Sequence, residues 1–162
     1  MTSIPQTILE ELKKRAKERG LSLEEFLTEI STQGLDPEDR AEKYLNVAVE
    51  LINQAEEELM KNNLRQASEK IWGACALAIK AYALWRDKKV LTRHAELWKY
   101  KDRVIAEFGE WVRDAWMYAN AMHVNFYEGE ASKNDIEKAL KLVKDLVKTI
   151  VKNMYSMSRS SS

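Results

Sequence analysis

Little in this 162-residue sequence can interrupt a helix, cross a membrane or staple the chain covalently. It has five glycines and two prolines. Strand-rich folds use both for turns, so their scarcity favours long helices. The one cysteine, Cys75, excludes an internal disulfide framework, as expected of a reducing compartment. No apolar run approaches the roughly 20 residues that span a bilayer. The N-terminal segment turns charged too soon for a secretory signal. The expected location is the cytoplasm, with no membrane contact.

Charge of one sign is also missing: Lys+Arg and Asp+Glu stand at 26 each. Without a general positive field, any contact with nucleic acid must come from a local patch and should be weak. The glycines stand singly, so no phosphate loop exists. With two histidines and one cysteine, a zinc site would have to borrow carboxylates. A di-iron bundle needs a Glu three residues before each His, where this chain has Leu91 and Asn120. No cofactor and no metal are expected. Cys75, set among Ala and Ile, is expected in the core.

What is present is helix punctuation. Ile8, Leu12 and Ala16 mark a first helix from about residue 5 to 19, stopped by Gly20. Ser22 and Glu25 make a capping box for a short second helix ending near Gly34. Asp36-Pro37-Glu38 opens a third, to about Lys61, with Tyr44, Val47, Ala48, Leu51, Ile52, Ala55 and Leu59 at core-facing spacing. Asn63 with Gln66 is expected to restart the chain into a fourth helix ending near Trp85, antiparallel to the third. Its Gly73-Ala74-Cys75-Ala76 segment allows another helix to approach closely. Further helices are expected over about 92–108, 110–126 and 132–154, the last capped by Ser132. The expectation is an all-α fold: a two-helix N-terminal extension at 1–34, an antiparallel bundle of a long helix pair plus three further helices at 35–155, and a disordered tail at 156–162.

Asn120, His123, Asn125 and Tyr127 gather as the sixth helix ends. Such a cluster suits a phosphate, a base edge or a partner's backbone, or else satisfies neighbouring helix ends. His94 near the start of the fifth helix suits a cap or interhelical contact, because a cation there opposes the dipole. Turning each residue by about 100° puts Lys138, Lys141, Lys144, Lys148 and Lys152 on one face of the last helix, the best local site for phosphate contact. Five tryptophans at helical spacing read as core or oligomer contacts, and a homodimer is expected.

The segments NLRQASEKIWGACALAIKAY (63–82) and NAMHVNFYEG (120–129), with LDPEDRAEKY (35–44) and RHAELW (93–98), resemble the archaeal PaREP family. That family is similar to HEPN domains, helical bundles that partner nucleotidyltransferases or act as ribonuclease toxins. The resemblance implies an often dimeric HEPN-like bundle. In nuclease members an Arg stands little more than one helical turn before a His. Here His123 matches the histidine, but Tyr118 and Ala119 occupy the arginine's place and Arg113 lies almost three turns upstream. The implied function is therefore a non-catalytic binding or assembly module, with a nucleotidyltransferase-type partner. The alternative is a divergent metal-independent ribonuclease, for which His123 is the one catalytic candidate. IPQTILEELKKRAKERGLSLEEFLTEI (4–30) also resembles the two helices of a ribbon-helix-helix DNA-binding protein, preceded only by MTSIP where a reading strand should be.

Overall fold

The computed structural model describes residues 3–160, with side chains described to residue 156. Among these residues there are seven helices and no strand: α1 (Gln6–Glu18), α2 (Leu23–Ser31), α3 (Pro37–Met60), α4 (Leu64–Asp87), α5 (His94–Phe108), α6 (Trp111–Glu128) and α7 (Lys133–Ser160). The axis is α4. Every residue from Ile71 to Leu84 is buried, and α3, α5, α6 and α7 all pack around it. A helix that is apolar nearly all round belongs in such a core. Trp72 and Trp116 are fully buried in it, while Trp85, Trp98 and Trp111 pack against it partly buried.

Three caps form as their residues require. Ser22 and Glu25 close a reciprocal box, Asp36 accepts the Asp39 N–H at 2.9 Å, and Ser132 and Asp135 each accept the other's N–H. The helix restarts at Leu64 with Asn63 at the cap position, but without an Asn63–Gln66 side-chain cap. The Asn63 amide instead donates to Glu58 at 2.8 Å. The turn is held from the α3 side, with Asn62 at φ +62 and the N–H groups of Asn62 and Asn63 bonded to the carbonyls of Leu59 and Glu58. Asn tolerates that left-handed conformation better than most residues.

Three helices outrun their expected ends. α4 reaches Asp87 and α6 reaches Glu128. α7 runs to Ser160, with Met154 still buried. The tail expected at 156–162 is therefore helical through Ser160, and residues 161 and 162 lie outside the described residues. At the other end, α1 and α2 share a small cluster of Leu12, Ala16, Leu21 and Phe26, separate from the main core.

Candidate functional site

α4 interrupts its apolar surface with Glu69 and Lys80, which helical spacing puts on the side that also carries Trp72. This stripe meets α2, α5 and α6. Against it sits Glu25 of α2, 1% exposed. Its Oε1 accepts from Lys80 Nζ at 3.0 Å, and its Oε2 accepts from Trp72 Nε1 at 3.1 Å and from the Ser22 N–H at 2.8 Å. Burial alone would raise the pKa of Glu25, but the Lys80 charge and the Ser22 bonds outweigh it, so the carboxyl lies below its ordinary value. Beside this pair, Glu24 takes Lys70 at 2.7 Å.

Both histidines lie on the indole of Trp72. The His94 ring is 5.5 Å away and the His123 ring 5.2 Å, with Trp116 meeting the same indole edge-on at 5.4 Å. His94 is the first residue of α5, where Glu96 fixes the helix start by accepting the Arg93 N–H at 3.1 Å. Its Nε2 accepts from Trp98 Nε1 at 2.7 Å, and Asn120 of α6 lies near the ring. Burial lowers its pKa, so it is held neutral. His123 Nδ1 lies 3.0 Å from Glu69 Oε1. Burial pulls this histidine down too, but the bond and charge of Glu69 win and its pKa rises. Glu69 is itself pushed up, chiefly by burial and against the pull of His123.

His123 opens toward solvent in a groove of about 450 Å³ lined by Lys17, Gly20, Leu21, Val124, Tyr127 and Glu128. Tyr127 meets the His123 ring edge-on at 5.9 Å, and the Lys17 ammonium lies 5.4 Å from the Tyr127 ring. Thus Asn120, His123 and Tyr127 lie along one side of α6. Asn125 does not join them. It is buried toward α4, where its amide donates to Ser68 Oγ at 2.8 Å and accepts the Ala131 N–H at 2.7 Å, tying the end of α6 to α4 and the approach to α7.

On α7, Lys138, Lys141, Lys148 and Lys152 are exposed, whereas Lys144 pairs with Glu56 of α3 at 2.9 Å. Lys141 and Lys144 also border a second groove of about 500 Å³ between α3 and α7, with Leu59, Met60 and Leu140 in its wall. Cys75 is buried and its thiol is pushed up by that burial, as suits a core residue and not a nucleophile. Among the described residues, no cluster of three or more His, Cys, Asp or Glu could hold a metal ion, and no helix is long and apolar enough to cross a membrane.

Sequence reasoning missed Glu69, Lys80, Trp72 as a shared platform, and Lys17. Lys80 carried a signal: one ammonium within the apolar run from Ile71 to Leu84 must find a counterion.

Fold and site together define a helical bundle with a buried ion pair and a histidine at the rim of a groove. The chain belongs to the archaeal PaREP1/PaREP8 family, whose model matches residues 43–147. That region runs from within α3 to within α7, so α1 and α2 lie outside it. No curated protein matches the chain. No solved structure matches it either.

Proposed function

We propose that this chain is a non-catalytic binding and assembly module of HEPN-like type. It acts in the cytoplasm as a homodimer and docks a nucleotidyltransferase-type partner at the groove of His123, Tyr127 and Lys17. One observation carries the reading. Trp98 holds Nε2 of His94 and Glu69 holds Nδ1 of His123, leaving His123 Nε2 for an outside group. Cleaving a phosphodiester without metal calls for a base and an acid within reach of one phosphate. A single imidazole nitrogen serves one of these roles, whereas recognition needs only one well-held donor. His123, made more basic by Glu69 and set in one groove with Lys17 and Tyr127, suits an acidic or carbonyl-bearing partner surface.

The test is co-expression with a nucleotidyltransferase-type protein from the same genome. The pair should co-purify, and His123→Gln should abolish the association while circular dichroism stays unchanged. Association that survives both His123→Gln and Tyr127→Ala rules out the groove. A second reading, metal-independent ribonuclease action with His123 as base, draws on the Glu69–His123 couple, since a carboxylate-held imidazole is the usual general base. Cleavage of single-stranded RNA in excess EDTA, lost in His123→Ala, would establish it. DNA binding through α1 and α2 has less behind it: α2 commits Glu24 and Glu25 to the bundle, and residues 3–5 form no strand.

A further inference from the structure

Lys80 lies in the centre of α4 with its side chain 4% exposed. A buried ammonium is strongly destabilising unless paired. The family-defined part of the chain, residues 43–147, contains Lys80, Trp72, His94 and His123 but not the carboxylate that pairs with Lys80 and the Trp72 N–H. That carboxylate, Glu25, arrives from α2. The attachment of α2 to α4 is largely polar: Glu24 to Lys70 at 2.7 Å, Glu25 to Lys80 at 3.0 Å and to the Trp72 N–H at 3.1 Å. Gly73 provides the notch for this approach, since a Cβ there would lie 3.6 Å from Ser22 Oγ and 3.0 Å from a Leu51 methyl. The apolar burial of α1 and α2 is chiefly against each other, through Ala16, Leu21 and Phe26. A helix pair with its own small core, held to the bundle by charge, competes for its seat with ions in solution.

We propose that Lys80 and the Trp72 N–H, with the imidazoles of His94 and His123 on the same indole, form a phosphate-binding site that α2 occludes by inserting Glu25 as an internal stand-in for the ligand. The Glu25 carboxylate already makes the contacts an oxyanion would make: one oxygen on the ammonium, the other on the indole N–H. When α2 lifts away, the Ser22 N–H leaves with it and space opens for further oxygens. Phosphate fits the vacated position better than a carboxylate does. Its larger charge acts on the imidazoles of His94 and His123, which the charge of Glu25 already reaches. The proposal does not rest on the partner reading of the rim groove, because its essential groups are Lys80 and Trp72.

The experiment uses the full chain, inorganic phosphate, and chloride at matched ionic strength. Glu25→Gln removes the competing charge and keeps the shape. Phosphate should change its tryptophan fluorescence saturably, with an apparent affinity at least about tenfold above that of the wild type, because occlusion multiplies affinity by the fraction of open molecules. Glu25→Gln combined with Lys80→Met should fold and lose the response. In the wild type, phosphate should accelerate tryptic cleavage after Lys17 and Arg19, because a ligand that takes the site holds α2 off. An unresponsive Glu25→Gln protein overturns the proposal, and so does an equal response in the double variant. If Glu25→Gln does not fold, the wild-type digestion decides alone: cleavage that phosphate leaves unchanged or slows refutes the site.

Discussion

His94 and His123 rest on the same indole, Trp72, with ring centroids 5.5 and 5.2 Å from it, yet their basicities move in opposite directions. Burial lowers both. At His94 it prevails, helped by the charge of His123. At His123 the Glu69 carboxylate, 3.0 Å from Nδ1, overcomes it. One aromatic platform thus carries two imidazoles whose pKa values are pushed apart. Environments that push two titrating groups apart are how a protein fixes a donor beside an acceptor.

Imidazole NMR titration should therefore place His123 above the ordinary histidine value and His94 below it, and Glu69→Gln should bring His123 down. The stability consequence has a definite sign. A raised His123 contributes stability that is complete below the unfolded pKa of about 6.5 and is lost as pH rises through its folded pKa. The raised Glu69 acts in the same sense, in a more acidic window. His94 acts oppositely, costing stability as pH falls below about 6.5. Urea midpoints across this range should fall on the alkaline side in the wild type and flatten there in Glu69→Gln. An alkaline limb equally steep in both proteins would contradict the assignment.

His123 and Asn125 are two residues apart and should respond to substitution in opposite ways. Asn125→Ala leaves the part-buried Ala131 N–H without its acceptor and removes the bond to Ser68, whose hydroxyl keeps only the Leu64 carbonyl at 2.9 Å. Each unsatisfied buried group costs about 1–3 kcal/mol, so the melting temperature should drop by several degrees while partner association persists at low temperature. His123→Gln keeps a hydrogen-bonding side chain near Glu69 and should remove association with a smaller stability loss. The reverse pattern would make Asn125 the recognition residue and His123 the joint.

Helix order follows from local chemistry, which is why Asp36-Pro37, Ser22/Glu25 and Ser132/Asp135 can be read without tertiary information. Asn63 could not be read this way, because the turn is closed by α3 carbonyls and not by a cap on α4. The polar cluster at 120–127 is equally visible as composition. Its division is not visible, because it depends on residues far along the chain: His123 faces Glu69, 54 positions away, and Asn125 faces Ser68, 57 away. Glu25 is the sharpest case. Its capping role can be read from a tetrapeptide, but the same carboxylate neutralises Lys80, 55 positions on.

Lys88 ends α4 at φ 56 and ψ 32, a conformation that suits glycine. Its ammonium reaches only the Trp85 carbonyl at 3.3 Å and, on an exposed surface, Glu38 at 3.8 Å. A left-handed backbone costs an ordinary L-residue about 1–2 kcal/mol. Glycine's greater freedom when unfolded cancels part of that gain. Lys88→Gly should therefore raise the melting temperature by about 1–4 °C. An unchanged or lower value would show that the two lysine contacts outweigh the backbone strain.

Any nucleic-acid contact should be weak, salt-sensitive and routed through α7. The pairing of Lys144 with Glu56 leaves Lys138, Lys141, Lys148 and Lys152 as the exposed charges of that face. Charge reversal at Lys138, Lys141 and Lys148 tests it without creating a repulsive pair at Glu56. Binding of a fluorescent single-stranded oligonucleotide should fall steeply with added salt and vanish in the triple variant. Tight binding at about 200 mM salt, or binding indifferent to the three substitutions, would move the contact elsewhere.

For the proposed dimer, α6 offers a face. Trp72 and Trp116 are consumed by the protomer's own core, whereas α6 carries exposed apolar residues. Met117, Tyr118 and Val124 are 51%, 37% and 54% exposed, and with Ala121 they form one stripe at helical spacing, flanked by Asp114 and Glu128. A face of this kind, apolar at the centre and charged at the rim, can pair with itself about a two-fold axis and bury the same residues twice. Light scattering at tens of micromolar should give twice the 18.8 kDa chain mass. Met117→Asp combined with Val124→Asp places like charges across the axis and should yield a monomer of unchanged helicity. A wild-type monomer at that concentration refutes the dimer itself, and a dimer that survives the double substitution refutes the face.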